Sequence, residues 1–178
     1  MIVKDNAKEH ALPTPGMHNG VCVDVYDAGV VETQWGPKEK IMLVWEIDED
    51  HPDFDGPFRV NRKYTQSLNE KASLCQDLES WRGRQFTPEE KAGFETETLI
   101  GVSCQFNIVH NTDAQGRTWA NVKAVLPLGK GQEPFAPSGY YVRVKDRKDE
   151  DEAAQEQNGK APEAVEQQAF IADDDLPF

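Results

Sequence analysis

The 178 residues are enough for one well-buried domain with chain to spare, and a hydrophobic fraction of 38% with a mean hydropathy of -0.70 points to a globular part diluted by a polar one. The net charge of -13 is uneven: residues 146–178 hold 11 acidic and 3 basic residues, whereas residues 1–145 hold 21 acidic and 16 basic. The low isoelectric point of about 4.7 therefore does not exclude a polyanionic partner for the body of the chain.

Three cysteines, Cys22, Cys75 and Cys104, show no CxxC spacing, and their odd number argues against a disulfide framework; buried thiols are expected. His10, His18, His51 and His110 are scattered without ligand spacing, so no metal centre is expected. The opening residues lack an apolar signal core and no run approaches membrane-spanning length, which predicts a cytoplasmic protein.

Residues 1–16 read as an irregular lead-in broken by Pro13, Pro15 and Gly16. In GVCVDVYDAGVVE, Val21, Val23 and Val25 alternate with Cys22, Asp24 and Tyr26, the period of a strand. TQWGPKEK is predicted as a turn around Gly36-Pro37. IMLVWEID follows as a second strand with Ile41, Leu43, Trp45 and Ile47 on one face. EDHPDFDGP reads as a loop. FRVNRKYT reads as a third strand, with Arg59, Asn61 and Lys63 opposite Phe58, Val60 and Tyr64.

The period then becomes helical. Leu74, Cys75, Leu78 and Trp81 share a stripe in SLNEKASLCQDLESWRG, with Ser67 and Glu70 as a predicted capping box and Gly83 as the stop. TPEEKAGF offers a second start, with Thr87 as N-cap, Pro88 first and Glu90 third. GVSCQFNIVH places Val102, Cys104, Phe106 and Ile108 on one face of a fourth strand. After NTDAQG, RTWANVKAVLPL makes a fifth. Its Ala120, Val122, Ala124 and Leu126 are expected inward, and Arg117, Trp119, Asn121 and Lys123 outward.

Three strands, a helix and two strands predict a mainly β domain over residues 17–145. The arrangement is that of a five-stranded OB-fold barrel with the helix between strands 3 and 4, which leaves no long exposed edge. A short further strand is expected at 140–144. Residues 146–172 are acidic and poor in aromatics, unable to offset their ordering entropy, and are predicted to be a disordered linker before a tip at 173–178.

No phosphate-binding loop, nucleophile elbow or Cys/His/Asn arrangement occurs, so a protein without enzymatic activity or cofactor is expected. Asp48, Glu49, Asp50, Asp53 and Asp55 invite comparison with a metal-dependent nuclease, but they lie in a loop with no fixed framework and read as solvated. The aromatic and basic residues are more informative. A tryptophan between cations on a sheet face costs solubility unless something stacks on it, and single-stranded nucleic acid supplies bases to stack and phosphates to pair. Arg117, Trp119, Asn121 and Lys123 make one such row; Arg59, Asn61 and Lys63 make another; Trp35 with Lys38 and Lys40 makes a third. In an OB-fold these regions converge on one groove. The competing reading packs Trp119 under the 130–145 segment and uses Trp35 to plug a turn. Trp45 and Trp81 are expected in the core, and Arg82 and Arg84, beside Gly83, are expected to cap the helix carbonyls, with contact to a phosphate as the alternative.

The last six residues, DDDLPF, resemble almost letter for letter the C-terminal tip of bacterial single-stranded DNA-binding proteins, typically Asp-Asp-Asp-Ile-Pro-Phe. Leu176 stands where isoleucine is usual. The resemblance implies a docking peptide, in which Phe178 enters an apolar pocket and Asp173, Asp174 and Asp175 meet a basic rim, while Pro177 keeps the tip open. The body is similar instead to a phage-encoded group of single-stranded DNA-binding proteins, over roughly residues 12–128. The stretch from Thr65 to Phe86 fits that group's T-x-S-L-x-E-K-x-x-L-x-x-D-L-E-x-W-R-G-R-x-F pattern, and PTPGMHNGVCVDV its first strand.

These resemblances imply a phage or prophage protein in the bacterial host cytoplasm, at the nucleoid or replisome. It would coat and protect single-stranded DNA during replication, recombination and repair. It would also recruit replication or recombination proteins through its tip, as a possible homo-oligomer and without membrane contact. Two other readings use the same residues: a recombination mediator or strand-annealing protein, and a protein-interaction module or DNA mimic that binds no nucleic acid. A mimic would present carboxylates where Arg117, Trp119 and Lys123 stand.

Overall fold

The computed structural model describes residues 10–147; the first nine residues, the predicted linker from residue 148 and the tip lie outside the described residues. The elements in chain order are β1 (Gly16–Thr33), β2 (Gly36–Asp50), β3 (Pro57–Thr65), α1 (Ser73–Arg82), α2 (Pro88–Ala92), β4 (Ser103–Thr112) and β5 (Thr118–Leu126), with short 3₁₀ turns at Thr96–Leu99 and Val144–Asp146. The five strands form one antiparallel sheet in the order β3-β2-β1-β4-β5. No ladder joins its two edges among the described residues, so the sheet is not closed. Its edge strands β3 and β5 nevertheless approach one another, and α1 packs against both.

β1 and β2 make a longer hairpin than the sequence predicts. The expected turn over 33–40 is mostly strand: Val31 pairs with Lys38, Glu32 with Pro37 and Thr33 with Gly36, leaving only Gln34 and Trp35 at the tip. Gly36 follows them at φ 96°, a conformation open to glycine that lets a tight connection match the strand twist.

The inner face carries the main core. Ile41, Leu43, Trp45 and Ile47 all point into it, as their alternation predicts, beside Phe58, Val60 and Tyr64 of β3. Trp45 is fully buried, with its ring 6.2 Å from that of Trp81 and 5.8 Å from that of Phe106. Leu74, Cys75, Leu78 and Trp81 seat α1 on this core, and the Trp81 indole donates to the Ser103 carbonyl (2.9 Å). Neighbouring strands crowd Gly20, where an added Cβ would lie 2.6 Å from the Glu46 carbonyl oxygen and 2.7 Å from the Phe106 ring. Cys22, Cys75 and Cys104 are free and buried; burial raises each thiol, that of Cys22 to about 12.

Several local expectations are corrected. Val23 is an extra residue in the β1–β2 ladder, so Cys22 and Val25 face the core while Val21 and Val23 face outward with Asp24. Lys123 is the extra residue in β5, where Ile108 pairs with Val122 but Asn107 with Ala124. Beyond it the phase reverses, burying Val125 and exposing Leu126, which was expected inward. Val102 precedes β4 and is exposed. The helix begins at Ser73, not after Ser67. The Ser67 hydroxyl accepts from the Asn69 amide and the Asn69 side chain from the Lys71 amide, so these polar residues stabilise turns instead of a capping box. Gly83 ends the helix in the left-handed conformation, and the Thr87–Glu90 capping box forms as predicted.

No strand forms at 140–144. Residues 135–147 instead run as an irregular strap, ending in the 3₁₀ turn, over the outer face of β1 and β2, where Phe135 and Tyr141 pack on Val21, Val23 and Val44.

Candidate nucleic-acid interface

On the outer face, alternation along β2 presents Lys38, Lys40, Met42, Val44 and Glu46. The ladder sets Thr65 opposite Lys40, Lys63 opposite Met42, Asn61 opposite Val44 and Arg59 opposite Glu46. Alternate residues on a strand are about 6.7 Å apart and neighbouring strands about 4.8 Å, so these side chains form one compact field. The Lys40 ammonium donates to the Thr65 hydroxyl (2.8 Å), which holds it over β3. Lys38 and Lys63 form no ion pair among the described residues. Beyond Lys38 the hairpin tip presents Trp35 at 55% exposure, and Val30 and Val31, opposite Glu39 and Lys38, are exposed as well. A hollow of about 510 Å³ lies there, lined by Val30, Pro37, Lys38, Glu39, Thr65 and Gln66 among others. Cations and an amide on one face, with an exposed indole at the hairpin tip beyond them, suit a flexible polyanion with stackable bases.

The β5 row is arranged differently. Trp119 is half-buried, with the Arg117 guanidinium 5.8 Å from its ring. Arg117 is held by Asp113, its Nε donating to Oδ2 (2.8 Å) and its amide to Oδ1 (2.9 Å). Those bonds, the backbone one foremost, keep the Asp113 carboxyl below its usual range. Asn121 lies opposite Val109, and Lys123 is exposed at the bulge. Along the ladder this row is separated from Lys38, Lys40, Arg59, Asn61 and Lys63 by β1 and β4. Only the approach of the sheet edges brings it round toward β3.

Other cations are engaged elsewhere. Arg82 and Arg84 both donate to the Glu90 carboxylate instead of capping α1, and their bonds, those of Arg84 foremost, lower the Glu90 carboxyl to about 2. Arg62 pairs with Asp77 (2.8 Å), which also accepts from the buried Tyr64 hydroxyl (2.7 Å). Of the acidic residues expected in a loop, Asp48, Glu49 and Asp50 instead end β2, and only Asp53 and Asp55 lie in the β2–β3 connection. Asp48 takes hydrogen bonds from the Asn19 amide and the His18 ring, and Glu49 from Thr14. These two carboxylates anchor the lead-in to β2, and no cluster of three or more potential metal ligands occurs among the described residues.

The strap supplies the contacts to this face that sequence reasoning missed. Glu46 is fully buried and accepts from the Ser138 amide and hydroxyl, each at 2.8 Å. Asp24 is 1% exposed and accepts from the Tyr141 hydroxyl (3.0 Å), Arg143 Nε (3.0 Å) and the Val144 amide (2.8 Å). Arg143 also grips Glu97 with both terminal nitrogens (2.8 and 2.7 Å). The available signal was a carboxylate flanked by apolar residues within each of two strands, Asp24 in VCVDV and Glu46 in LVWEI. A buried carboxylate needs donors, and SGYYVRVK is the stretch that offers them.

No helix among the described residues is long and apolar enough to cross a membrane. In comparison with known proteins, no family model and no curated protein matches the chain.

Proposed function

We propose that this protein binds single-stranded DNA along the outer face of β2 and β3 and serves, without catalysis, to coat and protect it during replication, recombination or repair. The observation that carries this reading is the shared face of Lys38, Lys40, Arg59, Asn61 and Lys63; an exposed Trp35 stands at the hairpin tip beyond Lys38. Lysines without carboxylate partners attract phosphates, and an indole beyond them offers a surface on which any base can stack. We read the sheet as an OB-type barrel. The strand order, the approach of β3 to β5 and the position of α1 between β3 and β4 support that reading. In such a barrel the outer face of strands 2 and 3 and the 1–2 and 4–5 hairpins border the groove, so Arg117, Trp119, Asn121 and Lys123 form its far wall. Residues 173–178 are proposed to dock partner enzymes of replication or recombination, concentrating them near the DNA. That part rests on the resemblance of the tip.

The test is a titration of fluorescently labelled oligo-dT with the full chain at several salt concentrations. Submicromolar binding is expected, with a log–log salt slope of about -0.7 per phosphate neutralised. Trp35→Ala should cost about 1–3 kcal/mol of binding, the usual loss for a stacking aromatic. No binding at low salt would overturn the reading and leave a protein-interaction module.

A further inference from the structure

The strap covers part of the sheet face on which the proposed DNA track lies, which raises the question of whether it blocks DNA or assists it. The residues beneath it decide. Asp24 and Glu46 are on the outer face, next to the track: Asp24 pairs with Val44, Val44 with Asn61, and Glu46 with Arg59. Without the strap, two carboxylates would stand among the cations. Glu46 would face Arg59 directly across the ladder, within reach of an ion pair that withdraws the guanidinium from phosphate. With the strap in place, both Glu46 oxygens are occupied by Ser138, and Arg59 turns to the strap. It donates to the Tyr140 carbonyl (3.4 Å) and lies 5.4 Å from the Tyr141 ring.

We propose that residues 135–147 act as an electrostatic mask, in which Ser138, Tyr141 and Arg143 cover Glu46 and Asp24 and so make the neighbouring face fit for a polyanion. The inference rests on the proposed DNA-binding function and gives it a sign: loosening the strap weakens DNA binding. A strap that merely occupied the groove would do the opposite. Arg143 is a positioning residue here. Its side chain is 18% exposed, and its three nitrogens point at Asp24 and Glu97.

The experiment uses the full chain and labelled oligo-dT at low and high salt. Arg143→Ala should weaken binding about fivefold at low salt, the size expected for one uncompensated charge beside several phosphates. The loss should shrink toward 1 M salt, where charges are screened within about 3 Å. Ser138→Ala with Tyr141→Phe loosens the same contacts without changing any charge and should weaken binding in the same direction. Asp24→Asn added to Arg143→Ala should restore affinity, whereas Glu97→Gln, which lies off the track, should not. Binding that is unchanged or tighter in the loosened variants would overturn the mask, as would a loss that Asp24→Asn fails to restore. Absence of binding by the unsubstituted protein would instead overturn the DNA-binding reading and the mask with it.

Discussion

The outer face of β2–β3 and the helical end of the molecule are both rich in cations, and they differ in what those cations touch. Beside α1 and α2, Arg62, Arg82 and Arg84 each meet a carboxylate, from Asp77 or Glu90. On β2–β3, Lys38 and Lys63 meet none among the described residues, and Lys40 meets a hydroxyl. Counting basic residues along the chain does not separate the two regions; the position of the nearest carboxylate does. A guanidinium with a fixed partner holds the fold together, whereas an ammonium without one remains available for an incoming phosphate.

The sharpest way to break this contrast is to remove one member of each set. Arg62→Ala leaves Asp77, whose side chain is 17% exposed, with the Tyr64 hydroxyl as a remaining donor. A loss of about 2 kcal/mol in urea unfolding is expected, the usual cost of leaving such a group short of a partner, with oligo-dT affinity of the folded protein unchanged. Weakened affinity with unchanged stability would place Arg62 in the wrong set. Lys63→Ala should behave in the opposite manner. Stability should stay within about 0.5 kcal/mol, as for a surface substitution. The salt slope of oligo-dT binding should become shallower by about 0.7, one phosphate contact on a single strand. An unchanged slope would remove Lys63 from the track.

Much of the sheet was legible because its strands obey simple periods. The β2 row of Ile41, Leu43, Trp45 and Ile47 and the β3 alternation of Phe58, Val60 and Tyr64 against Arg59, Asn61 and Lys63 stand as read. What the sequence concealed were departures from period. Val23 and Lys123 each add a residue to one strand only, and a single inserted residue reverses every face beyond it. Local capping rules failed at Ser67 because its hydroxyl and the Asn69 side chain satisfy nearby amides before the helix begins. Arg82 and Arg84 were expected at carbonyls, but the carboxylate of Glu90, brought close by α2, is the stronger acceptor. The strap escaped because its contacts are long-range, those of Ser138 with Glu46 and Arg143 with Asp24 joining residues more than ninety apart, and no local pattern encodes them.

The smallest expected effect probes an engaged cation through pH. Arg143 donates two hydrogen bonds to Glu97, and these hold the Glu97 carboxyl at about 2, below its ordinary value of 4.5. A carboxyl whose value is depressed in the folded state contributes stability above its unfolded value, and that contribution disappears as pH falls through the folded value. Glu97→Gln should therefore lower the unfolding temperature slightly above about pH 5. The gap should narrow from there and close near pH 2, as Glu97 itself becomes neutral. The effect is small because Glu97 is half exposed and water screens the pair. A gap that stays constant with pH would mean that the glutamate contributes through shape and not charge. Arg143 would then be held mainly by Asp24, and the two ends of its grip would have to be weighed separately.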